Sequence, residues 1–245
     1  MSKVLFFDMY QTLVDTQVGD KKEIVENAYK QVFSDFLIKQ GINFDLANNF
    51  QSNYKKVQDE FYEQHDKEKE HHDFKVLIAK TLADFYTINV DDAILINLIL
   101  QYRKLTRGET KLYPGVKNTL EFLSKEYSIY LASYTQACYS LPEIEELGIK
   151  DYFKGFIFSS DIGYKKMDDV FYRKCIEVSN VTPENCVMIG DNKLEDMFMA
   201  NKNGMSTIWI KNPITVDNFP NISITPTKEL DLKDFNNLSV LVSEL

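Results

Sequence analysis

Four short stretches of this chain hold residues able to do chemistry together. Asp8 closes the apolar run Val4-Leu5-Phe6-Phe7 and is followed by Met9-Tyr10-Gln11-Thr12. Ser133, with Tyr134 after it, closes the run that ends at Ala132. Lys166 ends Gly163-Tyr164-Lys165-Lys166. Gly190-Asp191-Asn192 closes Cys186–Ile189, with Glu195 and Asp196 one turn on. Carboxylates are hard oxygen donors for a divalent cation and can act as covalent nucleophiles. Hydroxyls and backbone N–H groups hold charge that develops on oxygen. Taken singly, each residue also has a plain structural reading. An Asp after a strand often caps the next helix, and Asp191 and Asp196 suit a helix N-terminus. Ser133 suits a turn, and Lys165 or Lys166 a solvated surface charge. The question is whether the fold brings them to one place.

The elements that would position them follow from hydrophobic spacing. Lys3 to Phe7 reads as a strand buried on both faces. From Lys21 to about Tyr102 the period becomes helical, with four helices and no strand signal. Asp91 or Asp92 suits the cap of the last of them. After Tyr113-Pro114-Gly115 strands and helices alternate: helices near 116–125, 137–147, 170–178 and 194–203, strands near 128–132, 156–158, 186–189 and 207–210. That alternation means βαβ units and a parallel sheet. The expected fold class is α/β: a Rossmann-like, doubly wound parallel sheet core, residues 1–14 and 108–245, split by an all-helical cap over 15–107. In such sheets ligands gather at the carboxyl ends of the strands, where Asp8, Ser133 and Asp191 all fall.

Composition agrees. Of 245 residues 44% are hydrophobic and 13% aromatic, enough for a packed core. Lys and Arg number 28 against 37 Asp and Glu, a net charge of −9, which argues against a nucleic-acid backbone as partner. No apolar run approaches the roughly 20 residues of a membrane span, and the apolar start after Met1-Ser2-Lys3 is too short for a signal peptide. A cytoplasmic protein without membrane or nucleic-acid partners is expected, monomeric or a small homo-oligomer. Cys138, Cys175 and Cys186 form no C-x-x-C pair, so no disulfide framework is expected. His65, His71 and His72 lie in the charge run 64–73 and read as a solvated helix end or loop rather than a metal cluster.

Together the four stretches resemble the motifs of the haloacid dehalogenase superfamily. Asp8-Met9-Tyr10-Gln11-Thr12 stands for its D-x-D-x-T, Ser133 for the strand-end Ser or Thr, Gly163-x-x-Lys166 for its lysine motif, and Gly190-Asp191-x-x-x-x-Asp196 for its last motif. Their order and separations match over the whole chain, and the helical insertion looks like the family's cap. The resemblance implies a hydrolase, with Asp8 as nucleophile and Lys166 neutralising both Asp8 and an incoming phosphoryl group. It also implies that Ser133, Tyr134 and the backbone near Thr12 hold the substrate. Mg²⁺ is implied on Asp8, Asp191 and the backbone carbonyl of Tyr10, with Asp196 as ligand or supporting partner.

The departure that matters is Tyr10. Family phosphatases carry a second Asp there to protonate the leaving oxygen, and a phenol of pKa about 10 is no ready substitute as base. The branch with Tyr at this position is the 2-haloacid dehalogenases, whose halide needs no proton. Those enzymes use no metal, however, and carry small neutral residues around the position of Asp191. They also carry a Ser-Asn pair where Tyr134 follows Ser133 here. The metal-type last motif favours a Mg²⁺-dependent phosphatase of a small phosphorylated metabolite, working through an aspartyl-phosphate on Asp8. The alternatives are a 2-haloacid dehalogenase and a non-catalytic phosphate-binding or regulatory protein on the same fold. Gln11 in place of Gly, and Met167 and Asp169 in place of prolines, are departures of loop geometry.

Overall fold

A computed structural model describes residues 3–18, 22–215 and 224–245. The strands β1 (Val4–Phe7), β4 (Ser128–Ser133), β5 (Gly155–Phe158), β6 (Cys186–Gly190), β7 (Ser206–Lys211) and β8 (Lys228–Asp231) form one parallel sheet in the order β5-β4-β1-β6-β7-β8. The remaining pair, β2 (Val14–Val18) and β3 (Arg107–Leu112), is an antiparallel ribbon. β1 lies at the centre of the sheet because its four residues are all apolar and all buried. Leu5 and Phe7 enter one core with Val187 and Ile189, while Val4 and Phe6 enter the opposite core with Cys186 and Met188. The period of two thus supplies both faces. Helices α7 (Val116–Glu126), α8 (Ala137–Glu146), α9 (Ser159–Ile162), α10 (Asp169–Ser179), α11 (Met199–Lys202) and α12 (Leu238–Ser243) connect and flank the strands.

Among the described residues, the elements between β2 and β3 are helical, including α1 (Lys22–Tyr29), α2 (Asp35–Lys39), α3 (Phe44–Ala47), α4 (Phe50–Gln64), α5 (Phe74–Tyr86) and α6 (Asp92–Thr106). They bury a core of their own around Phe33, Phe50, Leu82 and Ile99, with the Phe33 and Phe50 rings stacked at 4.6 Å. Asp73 caps α5 and Asp91 caps α6, each accepting from backbone N–H groups of the first turn. Among the described residues no helix is long and apolar enough to cross a membrane.

Two expectations need correction. The segment expected to be helical from residue 15 begins as strand β2, and β3 starts at Arg107. The ribbon is polar, Val-Asp-Thr-Gln-Val against Arg-Gly-Glu-Thr-Lys-Leu, so it lacks the apolar run that marks a buried strand. The helix expected over 194–203 opens instead as a π-turn, Lys193–Phe198, before α11.

Candidate active site

The carboxyl ends of β1, β4 and β6 place the site. Asp8 leaves β1 with its backbone N–H donating to the Ile189 carbonyl of β6, so the first and last motifs are stitched together at 2.9 Å. The chain then turns back on itself, Leu13 and Val14 both donating to the Met9 carbonyl. That turn requires φ +63° at Gln11. A non-glycine residue is uncommon there, and its neighbours hold it. Asn212 donates to the Gln11 carbonyl at 2.7 Å and Tyr113 to its side-chain oxygen at 2.9 Å.

Lys166 is 1% exposed and its Nζ lies 2.7 Å from Asp8 Oδ1 and 2.6 Å from Asp196 Oδ1. Asp196 is thus first of all a partner of the lysine. Its other oxygen, Oδ2, accepts from the Asn192 backbone at 3.0 Å. The π-turn brings it so close to β6 that a Cβ on Gly190 would lie 2.2 Å from that oxygen. Gly190 is therefore a glycine because of Asp196, a reason its place in the motif does not reveal. Asp191 is held by hydroxyls, Thr12 donating to Oδ1 at 2.7 Å and Thr215 to Oδ2. The indole N–H of Trp209 donates to the Asp191 carbonyl at 2.9 Å.

Asp8, Asp191 and Asp196 offer carboxylate oxygens that all lie within 4.8 Å of one another. Burial pushes Asp8 up to about 6 against the pull of Lys166. Burial, then the charges of Asp8 and Asp196, push Asp191 to about 7. Burial and Asp196 raise Glu195 to about 7 as well. Lys166 thus pairs with two of the three clustered acids, Asp8 and Asp196, and the uncompensated charge on hard oxygen donors is what a divalent cation fits. Ser133 is buried beside them and its side chain makes no hydrogen bond among the described residues.

Tyr10 is directed elsewhere. Its hydroxyl donates to Glu143 Oε2 on α8 at 2.7 Å, contacts Ser140 Oγ at 3.0 Å, and accepts from Arg103 of α6 at 3.3 Å. Glu143 is 3% exposed and also takes Arg103 Nε at 2.8 Å and Arg107 at 3.2 Å. Burial first, then the Glu143 carboxylate, raise the phenol above its ordinary value, so it keeps its proton. Glu143 and Arg103 carry no motif signal. They meet Tyr10 only through tertiary structure, 133 and 93 residues away in sequence.

His71 and His72 are not solvated as expected but half-buried against the strand ends. Gln136 Nε2 donates to His71 Nε2 at 2.9 Å and to the His72 carbonyl at 2.8 Å, while its oxygen accepts from the Phe74 N–H at 2.7 Å. His71 Nδ1 reaches Ser159 Oγ at 2.8 Å. Burial holds both imidazoles neutral, His71 at about 3 and His72 at about 4. The same stretch pairs with the loop of Lys166, the His71 N–H donating to the Gly163 carbonyl and the Lys165 N–H to the Lys69 carbonyl.

This arrangement of strand ends has known counterparts. The model of the haloacid dehalogenase-like hydrolases matches residues 2–204. The chain belongs to that family. Glyceraldehyde 3-phosphate phosphatase of Pyrococcus furiosus is 26% identical over 85% of this chain and 80% of its own. Among solved structures, the 2-haloacid dehalogenase of Pseudomonas syringae pv. tomato covers 100% of this chain and 99% of its own, at TM-score 0.65 and 18% identity. A haloacid dehalogenase-type phosphatase of Thermococcus onnurineus covers 98% of both chains, at TM-score 0.57 and 21% identity. At such identities the solved structures speak for the fold alone; the family makes the protein a hydrolase.

Proposed function

We propose that this haloacid dehalogenase-like hydrolase is a Mg²⁺-dependent phosphatase of a small phosphorylated metabolite, with residues 15–107 as the cap over a core of residues 1–14 and 108–245. The observation that carries the reading is the trio Asp8, Asp191 and Asp196 gathered within 4.8 Å, with one buried lysine paired to Asp8 and Asp196. Curated relatives named as phosphatases of glyceraldehyde 3-phosphate and of phosphoglycolate support it. Asp8 attacks phosphorus through the oxygen not held by Lys166 as the P–O bond to the leaving group breaks, and water then hydrolyses the aspartyl-phosphate to phosphate and free Asp8. Lys166 offsets the charge of nucleophile and phosphoryl group. Ser133 and backbone N–H groups near Thr12 receive the equatorial oxygens, with Tyr134 beside them. Asp8, Asp191 and the Tyr10 carbonyl would hold Mg²⁺, with Asp196 as ligand or as the partner that fixes Lys166. The ion would supply Lewis-acid stabilisation of phosphoryl charge.

Tyr10 donates its proton to Glu143 and has none to give a leaving oxygen. A general acid or base is worth roughly 10²–10⁴ in rate, or about 3–5 kcal/mol. The enzyme is therefore slow on alkyl phosphates and prefers leaving groups that depart unprotonated: acyl phosphates, anhydrides and aryl phosphates. A phosphate-release panel with and without EDTA tests this, and metal-independent turnover would overturn it. Tyr10→Asp is expected to raise the rate on alkyl phosphates. One observation favours the second reading, a 2-haloacid dehalogenase: the tyrosine itself. EDTA-insensitive halide release from 2-chloropropionate would establish it.

A further inference from the structure

Beside the strand ends, between the helices of 22–106 and the sheet, lies a cavity of about 920 Å³. This is at the upper end of the roughly 300–1,000 Å³ that holds drug-sized ligands, so a three-carbon phosphate would leave most of it to water. Its lining meets the site through neighbouring residues. Tyr134 and Thr135, which follow Ser133, line it, and so does Arg103, whose guanidinium touches the Tyr10 hydroxyl.

Rings line one part of its wall, and Asn48, Asn49, Gln51 and Ser52 line another. Tyr54, Phe74, Tyr134 and Tyr139 line it together with both imidazoles, His71 and His72. Tyr134 is 37% exposed, an unusual degree for a large aromatic at the mouth of a cavity, and the His71 ring stands against it at 4.7 Å and 61°. The cavity is also short of unmatched charge. Its cations among the described residues are Arg103 and Lys55. Arg103 is held by Glu143 and lies 4.4 Å over the Tyr139 ring, and Lys55 is paired with Asp59. A second carboxylate on the substrate would find no unpaired cation there, whereas an uncharged ring would find aromatic walls and the Gln58 amide.

We propose that this cavity receives the leaving group of the substrate, and that the leaving group is an uncharged one bearing a flat aromatic or heteroaromatic ring, seated against Tyr134. The proposal rests on the phosphatase reading of the site and names its substrate class. It unites two features: rings on the walls, and a tyrosine in place of the acid, which suits an aryl ester that leaves without a proton.

Binding to the Asp8→Asn protein with Mg²⁺, followed by calorimetry, tests the proposal without requiring turnover. Phenyl phosphate is expected to bind about tenfold or more tighter than methyl phosphate, in line with aromatic stacking. In Asp8→Asn/Tyr134→Ala that ratio is expected to fall towards one. Uridine 5′-monophosphate carries its ring at a distance from phosphorus. Binding tighter than phenyl phosphate overturns the link between the ring and an aryl ester, and weaker binding, still above methyl phosphate, supports a ring on the ester oxygen. Equal binding of phenyl and methyl phosphate, a ratio unmoved by Tyr134→Ala, or tightest binding by phosphoglycolate overturns the proposal. Phosphate release from acetyl phosphate by the unaltered enzyme is scored separately, so loss of ring preference and absence of phosphatase activity are told apart.

Discussion

Two clusters of buried charge lie on either side of Met9, and they are built on opposite plans. Around Asp8, three carboxylates cluster about one lysine that pairs with two of them, and burial raises Asp8 and Asp191 to about 6 and 7. Around Tyr10, one carboxylate, Glu143, has two arginines and a phenol. The first carries an unmet demand for positive charge; the second has none. A buried group without its partner is costly, so the first cluster makes sense as a place for reaction and the second as a strut joining α6 to α8. Residues two apart in one motif thus serve different ends.

The largest expected effect separates chemistry from stability. Asp8→Asn should lower phosphate release on the order of 10⁶-fold, as losing a nucleophile does, yet leave the urea midpoint equal or higher, because it removes one of three repelling acids. A large loss of stability would mean that the first cluster is a strut too. Glu143→Ala should behave the other way. It strands Arg103 in a largely buried place, and breaking such a pair costs about 3–5 kcal/mol, read from urea unfolding. A stability change below about 1 kcal/mol would erase the contrast.

Cation removal comes next. A ligand at 100 times its Kd stabilises by about 2.7 kcal/mol, or roughly 5–10 °C in Tm for a chain of this size. Excess Mg²⁺ is expected to give a shift of that order by scanning calorimetry, EDTA to reverse it, and Asp191→Asn to abolish most of it. The smallest effect is in pH. His71 and His72 are neutral in the fold, at about 3 and 4 against an ordinary 6.5. The unfolded chain therefore takes up protons first, and their contribution, full above 6.5, declines as pH falls towards 4. Asp8 and Asp191, raised in the fold first by burial and then by neighbouring carboxylates, work with the opposite sign in metal-free protein, where the penalty on their charged forms is relieved as pH falls through 7 to 6. The difference in urea midpoint between the unaltered protein and His71→Gln, followed from pH 7.5 to 5, isolates the first term. It should shrink as pH falls.

What was legible in the sequence was local or patterned. The strand through Phe7 and the strand through Ile189 are apolar runs ending in Asp, and the parallel-sheet rule brings those ends together. Asp91 as a helix cap is readable for the same reason. What was not legible depends on distance along the chain or on a polar surface. The ribbon of β2 and β3 has no apolar run to announce it, only Val14 and Leu112 paired at one end. Glu143 is one acid among 37 acidic residues until the fold sets it against Tyr10. The histidines looked solvated because their neighbours in sequence are charged, while their neighbours in space are Gln136 and Ser159. Gln11, which departs from the family glycine, keeps the left-handed turn because Asn212 and Tyr113 come back to it from elsewhere.

Trp209 is the sole tryptophan of the chain, and its indole is tied to the backbone of Asp191, with the Lys193 ammonium 4.7 Å from the ring centroid. The molecule therefore carries its own optical probe. Red-edge excitation, which passes over the tyrosines, selects a single emitter one hydrogen bond from the acidic cluster. Its intensity and wavelength follow whatever occupies that cluster, in real time and with no label attached.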